Sequence, residues 1–160
     1  MKTLIGGLTI ATVFVAAEIQ VRRSEPSDEA RAIGALRTVA AGQQMYAATT
    51  GGYATSLGAL AAACSRGQSA FVSPDLSGDP SAIGAYEIRL HASTEGPTGN
   101  VDCHGNPTAR GYYATAISLR RDAKAMRAFA VDQNGVMWFD VTSVAPKPPF
   151  HETATVRRLQ

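Results

Sequence analysis

The stretch that decides the fold is SDEARAIGALRTVAAGQQMYAATTGG, residues 27–52. Ser27 is a good N-cap, and Asp28 and Glu29 follow in the first turn, where the helix dipole favours negative charge. From Glu29 to about Ala48 the residues are helix formers. Ile33, Leu36, Ala40, Gln43 and Ala47 fall along one face, with Val39 and Tyr46 flanking it, while Arg31 and Arg37 fall elsewhere. This spacing predicts a long helix with one packing stripe, ending at Thr49-Thr50-Gly51-Gly52. A second, shorter helix is expected over about Thr55 to Cys64, with Leu57, Leu60 and Ala61 turning inward.

Beyond Ser65 the period changes from helical to alternating. Tyr86, Ile88 and Leu90 alternate with Glu87, Arg89 and His91, the pattern of a half-buried strand. Thr94 to Arg110 is rich in Gly, Pro and Asn and reads as a loop carrying Cys103. Tyr113, Thr115, Ile117 and Leu119 alternate with Tyr112, Ala114 and Ala116, a second strand. Arg127–Val131 and Val136–Val141 flank Asp132-Gln133-Asn134-Gly135, a strong hairpin signal, because Asn-Gly accepts the positive φ that the turn needs. Met137 and Trp138 then face opposite sides of the last strand; core is the stronger reading for both, one of them covered by the tail, and the alternative for one is an exposed patch for a partner. The tail from Ala145-Pro146-Lys147-Pro148-Pro149 onward is expected to be extended or frayed. Helices first and strands second make an α+β pattern.

Outward from the helix toward the N-terminus lies an apolar run, Leu4 to Ala17, preceded by Lys2 and closed by Glu18. Its 14 uncharged residues fall short of the roughly 20 that span a bilayer as a helix. Two readings compete. In one it is a cleavable secretory signal, with Lys2 as the basic region, Leu4–Phe14 as the apolar region and Val15-Ala16-Ala17 as the small-residue site, so that cleavage falls between Ala17 and Glu18. In the other it is an uncleaved signal-anchor. The organisation is therefore a hydrophobic signal or anchor over 1–21 and one α+β domain over 22–160.

Composition excludes several classes of function. The chain has 160 residues and a net charge of +2. Its Lys and Arg residues are scattered, with no stripe that would track nucleic acid. Cys64 and Cys103 are the two cysteines. In an exported chain they read as one disulfide, with buried free thiols as the alternative. Cys103-His104 is a lone dipeptide without the spacing of a zinc site. His91, His104 and His151 lie far apart, no G-x-S-x-G occurs, and Asp75, Asp79 and Asp102 sit where Asp forms turns. Asp132-Gln133-Asn134-Gly135 offers clustered oxygens that suit calcium, but a plain hairpin turn is the stronger reading. The expectation is a non-enzymatic protein with no cofactor.

Several of these pieces, taken in order, resemble a known family. Ala32-Ile33-Gly34-Ala35-Leu36-Arg37-Thr38, then Tyr46, Gly51-Gly52-Tyr53 and Ser56-Leu57-Gly58-Ala59-Leu60, look like the helix and following loop of bacterial type IV pilin-like proteins and type II secretion pseudopilins. Arg110-Gly111-Tyr112-Tyr113-Ala114-Thr115-Ala116 is similar to the family's GYxxTA strand, and Arg127–Val136 to its RxFxxDxxGVI hairpin. The likeness covers roughly residues 28 to 140. It implies a pilin-like fold, a long helix laid on a small antiparallel sheet of three to four strands. It implies a membrane or assembly segment carried by Leu4, Ile5, Leu8, Ile10, Val13, Phe14 and Val15, and a disulfide stapling the region before the sheet to a loop within it. The partners implied are other pilin-like subunits in a filament and the inner membrane, with the domain in the periplasm or outside the cell. The N-terminus departs from the family. Lys2-Thr3-Leu4-Ile5 echoes the family's FTLI, yet Gly6 stands where its assembly glutamate would be and no prepilin cleavage motif precedes it. The alternative is a secreted or periplasmic pilin-like binding domain that does not polymerise.

Overall fold

The computed structural model describes residues 24–65, 69–120 and 126–159, with the side chains of 24–27 left aside. The segments expected at the N-terminus, namely the membrane or assembly segment Leu4–Val15 and the cleavage point Ala17/Glu18, lie outside the described residues.

The long helix, α1, runs Ser24–Thr50. It starts three residues before the expected cap at Ser27. Pro26 falls in its first turn, where a missing N–H costs nothing because the first four amides of a helix have no partner within it. Its end is as the sequence predicts. Gly51 adopts φ +77° and its amide bonds Ala47 O at 2.9 Å, a left-handed cap that glycine takes without a Cβ penalty. The packing face is rotated slightly from the predicted stripe: Ala32, Ala35, Leu36, Val39, Gln43 and Tyr46 are buried, while Ile33 and Ala40 pack at its margin.

Helix α2 is shorter than expected, Leu57–Ala61, with Ser56 Oγ capping Ala59 N. Leu60 O accepts from Phe71 N and Val72 N. Ala62 is already extended, so the chain leaves the helix before Cys64. A 3-10 turn at Pro74–Leu76 follows.

Among the described residues eight strands complete the domain: β1 Ser81–Ile83, β2 Tyr86–Ala92, β3 Pro97–Val101, β4 Pro107–Ala109, β5 Tyr112–Ser118, β6 Ala128–Asp132, β7 Met137–Asp140 and β8 Val156–Arg158. The main sheet has six strands in the order β1-β2-β5-β6-β7-β8, every neighbouring pair antiparallel. The four expected strands form its centre. Two corrections apply. Three-residue strands, too short for alternation to be read, extend it at both edges, so the sheet has six strands and not three to four. The expected loop from Thr94 to Arg110 contains a separate hairpin, β3 with β4.

The α+β architecture follows from two faces. Tyr86, Ile88, Leu90, Tyr112, Ala114, Ala116, Phe129, Val131 and Met137 point to α1 and are buried with it in one core. An ion pair ties the start of the helix to the sheet, Glu29 Oε2 to Arg127 Nη2 at 2.6 Å. The Arg127 guanidinium also lies over the rings of Phe129 and Phe139. The tail is not frayed over 144–159. Ala145 is buried, β8 pairs with β7, and Phe150 stacks on Trp138 with ring centroids 5.6 Å apart. Met137 and Trp138 thus face opposite sides and both are buried, the first under the helix and the second under the tail.

Candidate functional site: the disulfide loop and the cleft at the strand ends

The β3–β4 hairpin is built from residues that cannot bury much apolar surface. What holds it is a set of polar and covalent ties to the end of α1. Tyr53 and Ala109 exchange two backbone bonds, 2.9 and 2.8 Å. Gly52 sits against Thr98 and Thr108 so closely that a Cβ would lie 2.5 Å from Thr108 Oγ1. The Gly51-Gly52 pair therefore serves the helix cap with its first member and close packing with its second.

Asp102 is the hub of the loop. It is buried and accepts four hydrogen bonds: from Tyr46 Oη at 2.8 Å, His104 N at 2.9 Å, Asn106 N at 2.8 Å and Asn106 Nδ2 at 2.9 Å. Burial alone would raise its carboxyl pKa, but the bonds from Asn106, Tyr46 and His104 outweigh it and hold the pKa at about 2. Burial, and then the bond to this carboxylate, push the Tyr46 phenol up. The pair is thus a neutral donor on a charged acceptor. Asp102 is a turn-former, as its loop position implies, and it also anchors that turn to α1.

Next to it, Cys64 and Cys103 form a disulfide with Cα atoms 5.6 Å apart. The expected staple is present, and free thiols are ruled out for this pair. It joins the segment just after α2 to the β3–β4 turn. The fold also brings His104 to this pair: a sulfur of each cysteine and a ring nitrogen of His104 lie within 4.8 Å of one another. The sequence showed only the dipeptide Cys103-His104. Its third donor, Cys64, is 39 positions away and no spacing rule connects them.

The remaining candidates are placed in structural roles. Asp132 Oδ1 accepts from Asn134 N and Val136 N, and Oδ2 from Trp138 Nε1. Those bonds fit the hairpin-turn reading. The turn is not the two-residue type, since only Gly135 has positive φ and its amide bonds Asp132 O, a type I turn followed by a glycine bulge. Asp79 Oδ2 accepts from Leu57 N. His91 stacks on Tyr113 at 4.5 Å and pairs with Thr115 Oγ1 at 3.0 Å. Burial lowers its pKa. His151 Nδ1 lies 2.8 Å from Pro149 O.

At the ends of β2, β5 and β6 the tail leaves an open cleft of about 630 Å3 bordered by Ser93, Glu95, Tyr113, Asp132, Lys147 and Phe150. The sequence did not point to it, because its walls come from three loops brought together only by the sheet.

Compared with known proteins, the chain matches no protein-family model, no curated protein and no solved structure. Among the described residues no helix is long and apolar enough to cross a membrane.

Proposed function

We propose that this chain is a non-enzymatic structural subunit of a type IV pilus or of a type II secretion pseudopilus-like assembly, its domain in the periplasm or outside the cell and its apolar N-terminal segment in the inner membrane. The observation that supports this most is the seating of one long helix, α1, along a single face of an antiparallel sheet, with the apolar run Leu4–Ala17 ahead of it in the sequence. In the proposed assembly that apolar run is the segment other copies pack against. The disulfide accords with an oxidising compartment.

A second reading, a released pilin-like domain that binds a partner without polymerising, is supported by the cleft at the strand ends. Mass spectrometry of the mature N-terminus from native membranes and medium separates the two. An anchored subunit keeps the apolar run and fractionates with membranes. A chain starting at Glu18 and found free in the periplasm or medium would overturn the structural-subunit reading.

A further inference from the structure

We propose that, once its disulfide is reduced, this chain binds one soft metal ion, Cu(I), through the sulfurs of Cys64 and Cys103 and a ring nitrogen of His104. This goes beyond the structural-subunit reading and does not depend on it.

The donors are already gathered, all within 4.8 Å of one another. Two thiolates and an imidazole form a soft set, and thiolates select Cu(I) and Zn(II) over harder ions. The number of donors favours Cu(I), since three protein donors leave zinc a fourth position for water to fill. Among the described residues no fourth His, Cys, Asp or Glu side chain joins the group. Structural zinc is almost always four-coordinate, whereas Cu(I) is content with three ligands.

Asp102, the nearest carboxylate in sequence, is unsuited to ligation. Its two oxygens already take four hydrogen bonds from Tyr46, His104 and Asn106. One of those bonds comes from the His104 backbone, so the imidazole is carried on a fixed turn beside Cys103. The ring itself has no hydrogen bond among the described residues and is exposed, as is Cys103. Reductant and metal can both reach the site. A histidine serving only the turn would need its backbone alone, and its ring position against both sulfurs would be without use.

The chemistry balances with a dithiol as reductant. The Cys64–Cys103 S–S bond breaks, one S–S bond forms in the reductant, and two hydrogens pass to the cysteine sulfurs. Cu(I) then displaces both thiol protons to solvent with no change in its oxidation state, and the imidazole adds as a neutral donor.

The test uses the full chain, reduced with a dithiol, freed of reductant by anaerobic desalting and titrated with Cu(I) against a chromophoric bidentate chelator. One equivalent is expected to bind, and the air-oxidised chain is expected to bind none. His104→Ala should fold normally, since its ring is unpartnered. It should weaken binding by at least about tenfold, the lower end of what losing even an outer partner of a metal site costs. Cys64→Ser should abolish the tight site. Equal affinity for wild type and His104→Ala would overturn the proposal, as would a reduced wild type that binds no more tightly than Cys64→Ser. Preferential retention of Zn(II) over Cu(I) would overturn the choice of metal. Circular dichroism follows the fold throughout. A reduced chain that loses its helix signal and does not regain it with Cu(I) also counts against the site.

Discussion

The side-chain amide of Gln43 pairs with the backbone of Ala54 as a neighbouring strand would: Gln43 Nε2 donates to Ala54 O at 2.9 Å and Gln43 Oε1 accepts from Ala54 N at 2.8 Å. Both residues are completely buried. Among the described residues the chain leaving α1 has no strand partner at Ala54, and a helix side chain supplies both halves of the missing pair. Buried backbone groups of this kind must be satisfied.

Gln43→Leu keeps the approximate volume, replaces the amide by an apolar group and leaves the Ala54 N–H and C=O without these partners. An unsatisfied buried polar group costs about 1–3 kcal/mol, so a loss of roughly 3 kcal/mol is expected in urea unfolding at neutral pH. A variant as stable as wild type to within about 0.5 kcal/mol, the range of an ordinary surface change, would show that water replaces the amide.

The Cys64–Cys103 bond closes a loop with a sequence separation of 39. In the chain-entropy view a loop of this size is worth roughly 4 kcal/mol. The Cys64→Ser/Cys103→Ser double variant should lose up to that amount. Its amide exchange should quicken first in β3 and β4, which the main sheet does not hold. Uniform acceleration across the sheet would contradict this local role. Without reductant, neither thiol of the native protein should react with a maleimide.

Asp102 makes stability fall in acid. Its pKa is about 2 in the folded protein against an ordinary 3.8. A carboxyl depressed on folding contributes fully above its unfolded pKa, and the contribution fades as pH drops from about 4 toward 2. At 1.36 kcal/mol per unit the contribution is roughly 2 kcal/mol. Tyr46→Phe removes one of the four bonds. It should cost about 1.5 kcal/mol at pH 7, the low end for a bond to a charged group, and shift acid unfolding to higher pH. The gap to wild type should narrow as pH falls toward 2, where the carboxyl is half protonated in wild type and more fully so in the variant, which lacks one of the bonds that lower its pKa. A gap that stays constant from pH 7 to 2 would mean that the Tyr46 hydroxyl does not act through this carboxylate.

Trp138 is the single tryptophan, so its fluorescence reports one place, the face of β7 that the tail covers. Phe150 stacks on one side of it, Arg158 lies over the ring at 5.0 Å, and Asp132 takes its indole N–H. Phe150→Ala should shift emission to the red and cost about 1 kcal/mol, the usual worth of an aromatic pair beyond its area. Unshifted emission would place the indole's shielding with Arg158 and the strand alone.

How much of this was legible in the sequence depended on the range of the signal. The period of residues 27–52, the Gly51 stop and the alternation in β2 and β5 were readable because each is written in neighbours three, four or two positions apart, and β6 and β7 were readable from the Asn134-Gly135 turn between them. Edge strands β1 and β8 were not, since three residues carry no period. The Asn134-Gly135 turn was located correctly, but its type hinged on Asp132, whose carboxylate gathers the amides of Asn134 and Val136.

By itself the sequence determined an α+β domain with a capped helix, a central group of antiparallel strands and one possible cysteine pairing, because propensity, capping and periodicity are local properties of the backbone. Only the tertiary structure decided that Gln43 would complete Ala54, that Tyr46 would meet Asp102, that Phe150 would cover Trp138, and that His104 would stand beside both sulfurs. Each of these joins residues far apart in the chain. Their meeting depends on how a whole helix settles on a whole sheet, where packing and the demand to satisfy every buried polar group select one arrangement.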